Sequence, residues 1–295
     1  MKKLFSLLAI GAIVLGMASC GDGGNNPEQP KPVGAINGKF SVAPGKQVYF
    51  SSGNLQYNAF YDKWRFAENQ WDYVGDATNG TVKIGNTKCN NANVSPSYNG
   101  WIDYFGWGTG MNPTNTSTKY GDYQKFTDWG NNPISNGGNQ AYLWRTLTID
   151  EWRYLFFTRV EASTKFGAAK VNNIPGYVLL PDNWQLPNGC AFTPGILKAG
   201  SDKAWSETPS ANLYSGEKWD AMERAGAVFL PAGGNRWQGS FEYVGIAGLY
   251  WSCTSYEQDC AHSMDFTAKQ FTLNSDRYYD SRTSGSTVRL VQDVK

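Results

Sequence analysis

The chain of 295 residues contains one histidine, His262. Any Ser-His-Asp or Cys-His relay would have to run through that residue. No His-Glu-x-x-His and no second histidine for a metal site occurs, and no Gly-x-Ser-x-Gly elbow is present, which removes the commonest zinc hydrolase and α/β-hydrolase signatures. The glycine-rich run at 231–235 is not followed by Gly-Lys-Ser/Thr, so it reads as a turn and not as a phosphate loop. Charge is equally sparse in pattern. Without Lys2 and Lys3 the 26 basic residues become 24, against 25 acidic ones, and no like-charge block exceeds two or three residues. That balance excludes an electrostatic footprint for nucleic acid and a polybasic membrane patch. Long aliphatic runs are rare after the first twenty residues, and no internal repeat is present.

What is there begins with those twenty residues. Lys2 and Lys3 precede an apolar run from Leu4 to Met17, and the small pair Ala18-Ser19 leads into Cys20. This is the layout of a secretory signal, and the run is shorter than the ~20 residues needed to span a bilayer. A cysteine behind small residues resembles the bacterial lipobox, in which the thiol is lipidated and becomes the mature N-terminus. The expected organisation is a signal over 1–19, a Gly-, Asn- and Pro-rich tether over 20–36 and one domain over 37–295. An ordinary cleaved signal with an incidental cysteine is the other reading. The expected location is the outer membrane, lipid-anchored, with display at the cell surface as one option.

Aromatic residues make up 15% of the chain, with 12 Trp beside 33 Gly, which suits a loop-rich fold cored by large flat side chains. Pro44-Gly45 separates two short strands in the segment 38–58. From 60 to about 142 neither helical nor strand periodicity is sustained, so aromatic-pinned loops are expected. Helices are expected over 147–159, with a Thr148/Glu151 capping box and a Leu147/Trp152 staple, and over 214–226, with Ser215 as cap and Gly226 as exit. Short apolar strands are expected at 176–184, 225–234, 248–255, around 262–266 and at 286–294. The class is α+β, without regular βαβ alternation.

Several blocks together carry a resemblance: GKFSV…VYFSSGNLQY, WIDYFGWGTG, LTIDEWRYLFFTR, VLLPDNWQLPNG, the AGAVFLPAGG segment and the closing YWS…STVRLV. They resemble a paralogous group of bacterial surface lipoproteins related to the FISUMP (major paralogous) domain. That group is similar in turn to the C-type-lectin-like fold shared with formylglycine-generating enzymes. The resemblance implies small antiparallel sheets, two helices, long aromatic loops and paired terminal strands, here 47–51 with 288–291. It also implies a displayed adhesion or binding domain.

The calcium-dependent lectins of that fold carry Glu-Pro-Asn or Gln-Pro-Asp and Trp-Asn-Asp triplets. Leu180-Pro181-Asp182 and Leu186-Pro187-Asn188 lack the preceding polar residue, and Trp-Asn-Asp is absent, so no metal centre and no cofactor are expected. The enzyme branch uses two nearby cysteines, a soft copper(I) site. Cys253 and Cys260 lie in the corresponding region but are more widely spaced, and a local disulfide between them is expected instead. The four cysteines after Cys20 allow three connectivities, and that local bridge would leave Cys89 with Cys190. Cys260, His262 and Asp265 form a weaker metal option beside the reading of His262 as an exposed strand residue. The expected ligand face comprises Tyr256, Glu257, Asp259, His262, Asn274, Arg277, Tyr278 and Tyr279, with Met264, Phe266, Phe271 and Leu273 turned to the core. Its partner is an unidentified glycan or protein. The alternatives are a formylglycine-generating-type oxidase using Cys253 and Cys260, and a structural subunit of a surface fibre.

Overall fold

The computed structural model describes residues 31–73, 100–198, 204–237, 240–273 and 280–295. Cys20, Cys89, Asn274, Arg277, Tyr278 and Tyr279 lie outside them. The described chain forms one compact unit, Lys31–Lys295. Ala35 and Ile36, expected in the tether, are buried, and Ala35 pairs with Ser51.

In chain order the elements are β1 Phe40–Ala43, β2 Lys46–Phe50, β3 Leu55–Asn58, β4 Lys63–Phe66, β5 Trp101–Ile102, α1 Ile149–Arg153, β6 Phe166–Val171, β7 Ile174–Leu179, β8 Leu213–Tyr214, α2 Gly216–Arg224, β9 Val228–Pro231, β10 Asn235–Trp237, β11 Ser240–Glu242, β12 Gly248–Tyr256, β13 Cys260–Phe266, β14 Asp280–Ser281 and β15 Val291–Asp293. The result is a mixed α+β fold of small sheets, antiparallel apart from the β6–β8 pair. Their orders are β1-β2-β15, β4-β3-β5, β8-β6-β7-β9, β10-β11 and β12-β13-β14. The terminal strands pair as expected, but the C-terminal strand lies at Val291–Asp293 and not at 288–291, with Val291 opposite Phe50 and Asp293 opposite Val48.

The α1 helix starts where its sequence says. Thr148 Oγ1 accepts from the Glu151 amide, and Glu151 Oε2 accepts from the Thr148 amide, which closes the capping box. Leu147 and Trp152 of the staple are fully buried. The α-helical hydrogen bonding stops at Arg153, however, and a π-helical turn runs over Tyr154–Thr158. The wider turn leaves Leu155 and Phe156 in the core and brings Arg159 back inside. There its Nε donates to Leu155 O at 2.7 Å and its guanidinium meets Asp182 at 3.2 Å. Asp182 also accepts from Ser41 and Gln47, so the Leu-Pro-Asp turn is a structural hub. The second helix is shorter than expected, with Ser215 accepting from the Lys218 amide and Gly226 in the left-handed exit conformation at φ 102°.

The core is aromatic. Trp152 packs on Phe50, Phe156 and Tyr250, while Phe271 touches Phe156, Phe166, Tyr177 and Phe266. Each such pair contributes about 0.5–1.5 kcal/mol beyond the area it buries. Eight of the twelve tryptophans are buried, so most serve packing and not display. Through the centre runs the C-terminal segment. Ser286 exchanges both backbone bonds with Phe105, Thr287 bonds Leu249 and Trp251, and the Val288 and Leu290 carbonyls accept from Leu55 and Ser51.

Candidate functional site

The expected ligand face sits on the β12–β13 hairpin. Its register pairs Gly248 with Phe266, Tyr250 with Met264, Trp251 with Ser263 and Tyr256 with Cys260. Alternation should leave one face free, and it does not. On one side Tyr250, Met264 and Phe266 enter the cluster built on Trp152 and Phe50. On the other, Trp251 and Ala261 enter a second cluster with Phe105, Trp107 and Val288. His262 is therefore not an exposed strand residue. It is only 9% exposed, its ring packs edge-on to Tyr256 at 5.0 Å, and its carbonyl accepts from Ser252 Oγ.

Between Trp251 and Ser255 the register slips, and this bulge fixes the hairpin to α1. The Cys253 amide donates to Leu147 O, and Thr254 Oγ1 accepts from the Ile149 amide, the first of the helix. The bulge also bears on the cysteines. Cys260 stands opposite Tyr256, three residues beyond Cys253, so at ~3.3 Å per residue the two Cα atoms are offset by about 10 Å along the strand. That exceeds the roughly 7 Å over which two Cα atoms can be bridged. The expected Cys253–Cys260 disulfide is accordingly not formed, and Cys190, Cys253 and Cys260 are free thiols. Burial, with Asp128 and Glu151 nearby, pushes Cys253 up to about 11. Burial followed by Asp259 and Glu257 raises Cys260. Neither environment generates a thiolate.

The exposed residues of the hairpin gather at and beside its tip, beginning with Ser255. Glu257 and Gln258 are exposed, and Tyr256 and Asp259 are partly exposed. Glu257 adopts the left-handed conformation at φ 39°, uncommon for a residue with a Cβ. Arg282 holds this turn from below, buried to 5% exposure. Its NH2 donates to Glu257 O at 2.9 Å, its Nε to Cys260 O at 2.9 Å and its backbone amide to Asp259 O at 3.0 Å. The guanidinium lies over the Trp107 ring, 4.4 Å from its centroid, and also reaches Tyr123 O. Trp107 is itself tied to β12 by Nε1 donation to Ser252 O. The structure thus brings Tyr256, Glu257 and Asp259 together on one rigid turn and withdraws His262 from it. Arg282 and Trp107 were not foreseen in this role, because they are remote from each other in sequence and no local motif joins them.

Behind the tip lies a pair of acids. Ser263 Oγ donates to Asp280 Oδ2 at 2.7 Å, and Asp265 Oδ1 is solvent-inaccessible without a hydrogen-bond partner. Burial holds both carboxyls above the usual carboxylate range, and Asp280 raises Asp265 further. Among the described residues no group of three His, Cys, Asp or Glu side chains could hold a metal. No helix among them is long and apolar enough to cross a membrane. A surface cleft of about 640 Å³ lies elsewhere, between the segment 31–37 and Asp220, Glu223 and Arg224 of α2.

No family model matches the chain, and neither a curated protein nor a solved structure matches it.

Proposed function

We propose that this chain is an envelope lipoprotein, anchored through Cys20 in the outer membrane, whose C-type-lectin-like domain binds an external glycan or protein. The observation that carries the binding reading is the β12–β13 tip. Exposed Glu257 and Gln258, with Tyr256 and Asp259 beside them, sit on a turn in which Arg282 restrains the carbonyls of Glu257, Asp259 and Cys260. A surface ordered in advance loses little entropy when a ligand arrives. The oxidase alternative gains no support, since it needs Cys253 and Cys260 side by side. A fibre subunit exchanging its C-terminal strand would have to empty the core of Val288, Leu290 and Val291, each fully buried.

The test is a combined glycan and protein array probed with the detergent-solubilised full chain. A ligand should be found whose binding is abolished by the triple variant Tyr256→Ala, Glu257→Ala, Asp259→Ala at unchanged melting temperature. Retention of every array signal by that folded variant would place recognition elsewhere on the domain.

A further inference from the structure

A second surface is built at the β3–β4 hairpin. Its loop carries Phe60 and Tyr61, which are 71% and 63% exposed, consecutive, and in edge-to-face contact at 4.9 Å and 87°. No other exposed large apolar residues among the described ones are adjacent in sequence and share a ring contact. Exposing two rings side by side is costly, so the rigidity of the turn is informative. Asn58 Oδ1 accepts from both the Phe60 and Tyr61 amides, at 3.0 and 3.1 Å. Asp62 takes the left-handed conformation at φ 49°, and its Oδ1 accepts from Tyr57 OH at 2.9 Å. Tyr57 in turn packs on Trp64, which is buried against Phe105. The loop backbone is therefore fixed to the core at its base, and it presents the two rings side by side.

The size and charge of the patch select its partner. Two aromatic side chains at these exposures offer roughly 250–300 Å². That is about a third of the ~800 Å² that each partner contributes to a stable protein interface. It matches the face of one or two sugar rings. Charge at the tip is balanced: Asp62 stands beside exposed Lys63, and Arg65 pairs with Glu68 at 3.1 Å. No field favours a polyanion or an acidic lipid surface. Aromatic faces carry negative potential, and the axial C–H groups of a pyranose carry the complementary positive one.

We propose that Phe60 and Tyr61 form a stacking site for an uncharged glycan, distinct from the β12–β13 tip. The proposal rests on the reading of this chain as a binding protein and names the ligand class for a second contact.

The detergent-solubilised full chain is passed over beads carrying amylose, xylan, galactomannan or yeast mannan. Retention on at least one is expected, weakened about tenfold or more by Phe60→Ala with Tyr61→Ala. The ring-preserving pair Phe60→Tyr with Tyr61→Phe should restore it. Retention by none of the four, or equal retention of the double alanine variant, overturns the proposal. If retention is lost instead in the variant of Tyr256, Glu257 and Asp259, the binding reading stands and this site falls.

Discussion

The rigidity of the β12–β13 tip depends on one side chain, and Arg282→Met measures it. The substitution keeps most of the volume over Trp107 but removes the guanidinium that donates to Glu257 O and Cys260 O, both at 2.9 Å, and more weakly to Tyr123 O at 3.4 Å. A hydrogen bond from a charged donor is worth about 1.5–3 kcal/mol, and these carbonyls keep partial access to water, so the lower figure applies to each. Two such bonds give an expected loss of about 3 kcal/mol. Arg282→Lys should lose about half of that, since an ammonium on a flexible stem cannot serve three carbonyls in a planar fork. Denaturant titration reads the global change. Hydrogen exchange of peptides covering residues 256–261 reads the local one, with protection falling about a hundredfold in the methionine variant if the loss is confined to the turn. If Arg282→Met stays within about 0.5 kcal/mol of the parent and the turn exchanges at its original rate, Arg282 does not hold the tip.

Three further outcomes are expected. Cys20→Ser should release the protein from the membrane fraction or arrest its maturation, and unchanged fractionation would refute the anchor. Removing residues 286–295 should abolish cooperative melting, because the segment supplies backbone partners to Ser51, Leu55, Phe105, Arg145 and β12 and buries Val288, Leu290 and Val291. Asp265→Asn should gain stability at pH 7. The folded state holds the Asp265 proton above the pH at which the unfolded chain releases it, so stability falls as pH rises from the ordinary carboxylate range through the raised folded value. The variant should lose Asp265's share of that slope and keep that of Asp280, and a parent whose melting temperature does not fall across this window would contradict the assignment.

Where local chemistry decides structure, the sequence was readable. The Thr148/Glu151 box, the Pro44-Gly45 turn, the Ser215 cap and the Gly226 exit all depend on residues within a few positions of each other. The strand β6 was missed because Phe166-Gly-Ala-Ala-Lys-Val presents small residues to a core on both faces, leaving no alternation to detect. Its Gly167 is there for space, since a Cβ would stand 2.5 Å from Thr193 O. The π-helical turn after Arg153 escaped for another reason. Leu155, Phe156 and Arg159 fit a regular helical stripe on paper, and only the partly buried Asp182 shows why the chain widens to bring Arg159 inside.

The same distinction explains the candidate site. Alternation along β13 was sound reasoning for a strand with one free face, but the C-terminal segment and α1 take both faces of this hairpin. On the proposed binding reading, recognition falls to its end, as in most folds where loops carry variable function on a fixed frame. Among the described residues, the hydrogen bonds from Arg282 to the tip end on the backbone oxygens of Glu257, Asp259 and Cys260, and none ends on a side chain of residues 257–259. The side chains there are thus free of structural duty, apart from the left-handed position 257, where Asn or Gly would sit with less strain than Glu. A library varying residues 257–259, with position 257 limited to Glu, Asn and Gly, should keep most members within about 0.5 kcal/mol of the parent by denaturant titration. The same library on an Arg282→Met background should show the full destabilisation throughout. Widespread unfolding in the Arg282 library would mean that the side chains of the tip, and not its backbone, hold the turn in place.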